Sequence, residues 1–320
     1  MKIVVLDGYT LNPGDLSWEK LESLGEVTIY NRTPADQILS RIENASILFT
    51  NKTPLSAETL KANPQVKFIG VLATGYNVVD VAAAADLGIT VTNVPIYGTT
   101  AVAQMTFALL LEICHHAWAH NIAVKDGEWT NNQDWSFWKY PLVELADKTM
   151  GIIGFGRIGR AVSAIARAFG MRVLAYDAFP INEPGDGVSP ATLATLFAES
   201  DVISLHCPLF DSTAGLINSA NIEKMKDGVF IINTSRGGLV VEEDMRKALE
   251  NGKVGAFAAD VVSTEPIKQD NPLINAPNTI LTPHIAWAPK ESRARLMDTA
   301  VENLRLFISG TPENVVKASF

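Results

Sequence analysis

The sequence predicts an α/β chain built as two doubly wound parallel-sheet domains, and three observations carry that reading. Short apolar runs of strand length alternate with helical patterns along nearly the whole chain. The alternation restarts after a long helical stretch that begins near residue 99. In the second series, strand-like runs end either in a cluster of glycines or in isolated polar residues, as expected where the carboxyl ends of parallel strands open on a ligand crevice.

In the first series, Ile3–Leu6, Glu26–Tyr30, Ile47–Thr50, Phe68–Val71 and Thr90–Thr92 read as strands, with helices such as Ser17–Ser23 and Ala35–Ile42 between them. Strands joined through helices pair in parallel, since the crossover returns the chain to the same end of the sheet. A helical pattern from Thr99 to about Lys125 connects this series to a second one that begins at Thr149. The last helix, Lys290–Ser309, follows the final strand, and its natural place is back on the first domain. The expected division is therefore 1–98 plus 290–320, a discontinuous domain, and 99–289.

Composition agrees with two domains. At 320 residues and 47% hydrophobic content the chain has material for two cores. Its net charge is −9 and its basic residues are scattered, which argues against a nucleic-acid partner or an anionic membrane surface. The apolar runs are strand length, so no membrane span is expected, and Met1-Lys2 leads directly into a strand without a signal-peptide pattern. Only Cys114 and Cys207 occur, without CxxC spacing, so a reducing, cytoplasmic setting is the simplest reading.

The run Met150–Ile153 leads into Gly154-Phe155-Gly156-Arg157-Ile158-Gly159, a GxGxxG between a strand and a helix. Ile158, Val162, Ile165 and Phe169 fall on one face of that helix, and Gly170 closes it. A second strand, Arg172–Tyr176, ends in Asp177, about 20 residues past the glycines, where a Rossmann-like dinucleotide fingerprint places an acid on the ribose hydroxyls. The first glycine permits the tight turn, the second lets backbone approach a pyrophosphate, and the third allows helix and strand to pack closely. The Asp177 carboxylate would repel a 2′-phosphate and no Arg or Lys follows in Ala178-Phe179-Pro180, so NAD is preferred over NADP.

Further on, Val229–Asn233 leads to Thr234-Ser235-Arg236-Gly237, Gly255–Val262 to Glu265-Pro266, and Thr279–Thr282 to Pro283-His284. Three strand ends can bring Arg236, Glu265 and His284 together. Together with the glycine-rich turn and Asp177 these residues resemble the D-isomer-specific 2-hydroxyacid dehydrogenase family, and the resemblance implies reduction of a 2-oxo acid, which needs a hydride donor, a proton donor and a cation for the carboxylate. The planar fork of Arg236 suits a carboxylate or keto oxygen. Protonated His284 can give a proton to the developing alkoxide, and Glu265 beside the ring would orient it and favour its protonated form.

These motifs, with Asp260, resemble the D-isomer-specific 2-hydroxyacid dehydrogenase family over nearly the whole chain. The resemblance implies two similar domains with the active site in the cleft between them, the first binding substrate and the second binding NAD and carrying the connecting helix and a dimer arm. It implies cofactor contacts from Arg157, Ile158, His206, Cys207, Pro208, Thr213, Thr234 and Ser235 besides Gly154, Gly156, Gly159, Asp177, Arg236 and His284, and it places Asp260 against the nicotinamide carboxamide. Ala73, Thr74 and Gly75 resemble the family's substrate loop, whose amides cradle the carboxylate. Thr99 or Thr100 could cap the helix that begins there. Gln104 departs from the Glu frequent in the family at that position. A homodimer is implied as well.

Two side issues bear on chemistry and substrate. His116 and His120 lie one turn apart beside His115, but no HExxH glutamate accompanies them, so a metal site is not expected. Cys207 reads as packing and not as a nucleophile. His284-Ile285-Ala286-Trp287-Ala288 most resembles the hydroxypyruvate reductase (glycerate dehydrogenase) branch, with Trp287 a substrate-facing candidate. The cluster Trp129, Trp135, Phe137, Trp138 and Tyr140 falls in the expected dimer arm. The expectation is NAD(H)-dependent reduction of a small 2-oxo acid, hydroxypyruvate to D-glycerate before glyoxylate to glycolate. The alternatives are a D-lactate or short-form phosphoglycerate dehydrogenase or, from another class, a dinucleotide-sensing corepressor-like binding protein.

Overall fold

A computed structural model describes residues 1–317 and divides the chain into two compact units, one running from Met1 to Gly98 and resuming at Trp287, the other Thr99–Ala286. The return comes at Trp287 and not at Lys290 as the sequence suggested, because Trp287 already packs against the core of the first unit.

The first unit is a five-stranded sheet of β1 (Lys2–Val5), β2 (Glu26–Ile29), β3 (Ile47–Thr50), β4 (Phe68–Val71) and β5 (Thr90–Thr92), in the order β2-β1-β3-β4-β5. Each pairing is parallel. Alternation sends successive residues to opposite faces. Val4, Leu48 and Ile69 join one core with α2 (Ile38–Ile42), α3 (Ala57–Lys61) and α4 (Val81–Asp86). Ile3, Val5, Ile47, Phe49 and Phe68 join the other with α1 (Glu19–Glu22) and the final helix of the chain, Lys290–Ile308. That helix buries Leu296, Met297, Ala300 and Leu304 here, so its place on the first unit follows from one apolar face. Arg293 fixes its start: the guanidinium grips Asp15 with bonds of 2.8 and 2.7 Å, the Leu11 carbonyl at 2.9 Å and the Ala288 carbonyl at 2.8 Å.

The second unit begins with α5 (Thr99–His115) and α6 (Ala117–Lys125) and continues as a seven-stranded sheet. The sequence reads α5 and α6 as one long pattern. The structure breaks it at His116, whose φ of 46° is left-handed and cannot continue a right-handed helix. The strands are β6 (Thr149–Ile153), β7 (Arg172–Tyr176), β8 (Val188–Pro190), β9 (Val202–Leu205), β10 (Val229–Asn233), β11 (Val254–Ala259) and β12 (Thr279–Leu281), in the order β12-β11-β10-β9-β6-β7-β8. All pair in parallel. Met150, Ile152, Ile232 and Ala258 face α5 and α7 (Arg157–Ala168). Ile153, Ile203, Ile231 and Phe257 face α8 (Leu193–Glu199), α9 (Ser219–Ile222) and α10 (Glu242–Glu250). Burial on both faces explains why these strands read as continuous apolar runs. In chain order the remaining helix, Lys290–Ile308, is α11.

Among the described residues no helix is long and apolar enough to cross a membrane.

Candidate active site

The strand order of the second unit reverses between β6 and β9, and a doubly wound sheet binds ligands at such a switch point. The glycine-rich turn sits there. Gly154 has φ +95°, and a Cβ on it would run into the backbone of His206 and Cys207 at the end of β9. Any L residue here would meet both a forbidden backbone conformation and a collision. A Cβ on Gly159 would strike the Gly154 carbonyl, so this glycine lets α7 close on β6. Gly156 differs, because nothing lies within 4 Å of the position its Cβ would take. It is also the N-cap of α7 with no side-chain cap, so the helix presents backbone donors beside open space. That combination fits an anionic pyrophosphate.

Asp177 closes the same end of the sheet. Its Oδ2 accepts the Phe155 amide at 2.7 Å and its Oδ1 the Phe179 amide at 3.1 Å, which fixes the carboxylate beside the glycine-rich turn. The residues match what a dinucleotide needs: a tight turn, donor amides and an acid for a ribose.

At the end of β9, the His206 Nε2 pairs with Ser204 Oγ at 2.8 Å, while Nδ1 is sealed from solvent and has no partner in the structure. Burial pushes this imidazole down to about 3, so the ring is neutral at physiological pH. Burial also pushes the Cys207 thiol up to about 11, and the same holds for Cys114. Neither is a thiolate nucleophile at neutral pH. Thr213 folds its own turn, donating to the Pro208 carbonyl at 2.8 Å and accepting the Phe210 amide at 2.8 Å.

Arg236, Glu265 and His284 leave the carboxyl ends of β10, β11 and β12, which are successive neighbours in the sheet. Asn233, fully buried at the last position of β10, shapes the first loop: its Nδ2 donates to the Arg236 carbonyl at 2.8 Å and its Oδ1 accepts the Ser235 amide at 3.0 Å. Ser235 Oγ donates to the Cys207 carbonyl at 2.6 Å, and Thr234 Oγ1 meets Thr106 Oγ1 of α5 at 3.0 Å. The backbone is thereby held while the Arg236 side chain stays exposed, with Nη1 on the Ser235 carbonyl at 2.7 Å.

The β11 strand ends at Ala259, short of the Val262 expected from apolarity, because Asp260 turns inward. Its side chain is 1% exposed, and a buried carboxylate must be satisfied. It accepts the Thr282 hydroxyl at 2.6 Å and the Ile285 amide at 2.8 Å on Oδ1, and the Ala286 amide at 2.7 Å on Oδ2. Asp260 therefore builds the loop that carries His284, a role that the sequence does not signal. His284 itself has φ +55°, a conformation uncommon outside glycine, and its amide donates to the Thr282 carbonyl at 2.9 Å. The loop sets the ring so that Nδ1 lies 2.6 Å from Glu265 Oε2. Glu265 Oε1 accepts the Val262 amide at 3.3 Å.

The other candidates lie in the first unit. Thr74 Oγ1 donates to the Val94 carbonyl at 2.8 Å, and the Ala73 carbonyl accepts the Val94 amide at 3.0 Å, tying the turn after β4 to the end of β5. Trp287 is half-buried in the core described above. The histidines after α5 pack with the aromatic cluster: His116 lies tilted against Tyr140 with ring centroids 4.6 Å apart, and His120 accepts the Lys139 amide on Nε2 at 3.1 Å. Among the described residues no three His, Cys, Asp or Glu side chains are grouped to hold a metal.

The fold and this site define a dinucleotide-dependent oxidoreductase, and comparison with known proteins agrees. Residues 107–286 match the NAD binding domain of the D-isomer specific 2-hydroxyacid dehydrogenases. Over 321 residues the chain is 58% identical to a hydroxypyruvate reductase of Blautia hydrogenotrophica, covering 99% of each chain. It is 39% identical to a glycerate dehydrogenase of Methylorubrum extorquens, again over 99% of each. The structure matches that of a glyoxylate reductase from Paecilomyes thermophila with a TM-score of 0.82 at 29% identity, covering 99% of this chain and 98% of that one. The chain belongs to the D-isomer-specific 2-hydroxyacid dehydrogenase family and carries its NAD-binding domain.

Proposed function

We infer that this protein reduces small 2-oxo acids with NADH, converting hydroxypyruvate to D-glycerate and, as a second substrate, glyoxylate to glycolate. The observation that carries the reading is the His284–Glu265 contact of 2.6 Å at strand ends adjoining that of Arg236. The kinship with proteins named hydroxypyruvate reductase and glycerate dehydrogenase supports the substrate.

When bound, NADH supplies the hydride that reduces the keto carbon. The chain does the rest. Gly154, Gly156, Arg157, Ile158 and Gly159 would hold the pyrophosphate, Asp177 the adenosine ribose, and His206, Cys207, Pro208, Thr213, Thr234 and Ser235 the remaining length. Arg236 offers its paired N–H groups to the substrate carboxylate or keto oxygen and polarises the carbonyl. Protonated His284 transfers its Nε2 proton to the developing alkoxide, and Glu265 on Nδ1 keeps the ring oriented and its positive charge balanced. In the reverse direction the neutral ring takes the hydroxyl proton back. Ala73, Thr74 and Gly75 keep their assignment as an anion-binding turn, and Trp287 keeps its assignment as a substrate-facing residue.

The reading includes a homodimer formed through the aromatic arm, where Trp118, Trp129, Trp135 and Trp138 are between 51 and 88% exposed and a partner subunit would cover them.

Steady-state kinetics with NADH and NADPH over hydroxypyruvate, glyoxylate, pyruvate and 3-phosphohydroxypyruvate test the proposal. The expected result is the highest kcat/KM for NADH with hydroxypyruvate. A higher value for pyruvate or the phosphorylated acid, or for NADPH, would overturn the substrate or the cofactor half respectively.

A further inference from the structure

The loop that presents Glu265 is itself gripped from the side. Glu242, at the first position of α10, accepts the Ser263 amide on Oε1 at 2.7 Å. Its Oε2 accepts the Ser263 hydroxyl at 2.8 Å and the Asn271 side-chain amide at 2.9 Å. Asn271 in turn accepts the amide of Leu273, which is 1% exposed, so the far end of the loop is anchored in the core. From the other side Gly237, next to Arg236, packs so closely on the Val262–Ser263 peptide that a Cβ would overlap the Val262 carbonyl. The neighbouring Val262 amide is the one that donates to Glu265 Oε1. A first-turn glutamate on a helix is ordinarily satisfied by the helix terminus and solvent, whereas this one accepts three bonds from a different loop.

We propose that Glu242 is a positioning residue for proton transfer: by fixing the Val262–Ser263 turn it holds Glu265 at the distance at which that carboxylate supports His284, and it makes this spacing depend on the same β10–α10 connection that carries Arg236. The inference rests on the acid–base reading of Glu265 and His284. The charged residues on the elements and connections next to the pair are Arg236 after β10, Asp260, Lys268 and Asp270 on the β11–β12 connection, and Glu242 on α10. Glu242 bonds to neither ring nor reacting atoms and acts through Glu265.

The test compares wild type, Glu242→Ala, Glu242→Gln and Glu265→Gln by the pH dependence of NADH-driven hydroxypyruvate reduction, and by NMR titration of the His284 ring in the enzyme without cofactor, identified by its loss in His284→Ala. Glu242→Ala should move the alkaline fall in kcat and the His284 titration midpoint to lower pH, in the direction of Glu265→Gln. KM for hydroxypyruvate should stay within about threefold. Glu242→Gln should fall between, because its carboxamide oxygen still accepts the Ser263 amide but its nitrogen cannot accept from Asn271. Unmoved midpoints in Glu242→Ala, with Glu265→Gln shifted, overturn the inference alone. If Glu265→Gln is unshifted as well, the underlying acid–base reading fails with it. Should Glu242→Ala not fold, Glu242→Gln and Ser263→Ala decide by the same criterion.

Discussion

The Phe155 amide donates to Oδ2 of Asp177 at 2.7 Å, so the acid at the end of β7 and the glycine-rich turn at the end of β6 are set by one hydrogen bond. A carboxylate held in this way would meet a ribose diol with little further ordering cost and would oppose a 2′-phosphate by charge.

Asp177→Ala is therefore expected to narrow the preference for NADH over NADPH. Bonds to a charged group contribute about 1.5–3 kcal/mol, so the ratio of kcat/KM values should fall roughly ten- to a hundredfold, mainly through a raised KM for NADH. Steady-state kinetics with both cofactors measure it. An unchanged ratio would show that selectivity resides elsewhere.

Arg236→Lys tests the anchor. The Arg236 backbone is already fixed by Asn233, so the substitution alters the head group and leaves its mounting in place. A compact ammonium cannot form two parallel bonds to a carboxylate, and kcat/KM for 2-oxo acids should fall by about a hundredfold or more while NADH affinity, read by fluorescence titration, stays within about threefold. Normal turnover in Arg236→Lys would remove the residue from the substrate.

Much of this site was legible because its signals are local. The turn at Gly154–Gly159, Asp177 and the three strand-end residues each follow an apolar run, and buried parallel strands produce such runs. The contacts that hold the site in place were not legible. Glu242 meets Ser263, Thr106 meets Thr234 and Asp260 meets Thr282 only after the sheet has folded, and nothing local in the chain announces a bond between residues 128 positions apart. Asn233 offered a signal, a polar residue closing the apolar run Val229–Asn233, where burial demands partners. The missed strand β8 is short and contains Pro190, a residue confined to sheet edges, and β8 is one of the two edge strands. The break at His116 has no local signal in the sequence, because its left-handed φ falls on a residue other than glycine.

His206 gives the fold a pH dependence of its own. Its unfolded value is 6.5 and burial holds the folded ring at about 3. Because the folded value is the lower one, the unfolded chain takes up the proton first as pH falls. The stability contributed is complete above 6.5 and is lost as the pH falls from there toward 3, by at most about 1.4 kcal/mol per unit. Urea unfolding of the cofactor-free protein between pH 7.5 and 5.5, values chosen to span roughly this onset, should show a shallower acid loss for His206→Gln than for wild type. Parallel losses would mean that the ring is hydrated in the folded state.

If His284 is the proton donor, its contact with Glu265 governs the pH range of reduction. A carboxylate 2.6 Å from Nδ1 stabilises the charged ring, and it does so only while it bears its own charge. Glu265→Gln keeps a hydrogen-bonding group at that distance and removes the charge. The proton should then leave the ring more readily, so the alkaline fall in reduction rate should move to lower pH, while the acid side of the profile, where the ring stays protonated, changes little. His284→Ala should act differently, lowering kcat roughly 10²–10⁴-fold at every pH, because the proton donor itself is gone, with NADH binding largely retained. The two profiles separate a lost acid from a weakened one. If the alkaline limb in Glu265→Gln stays in place or moves upward, the carboxylate does not support the protonated ring, and the proton relay must be assigned to other groups.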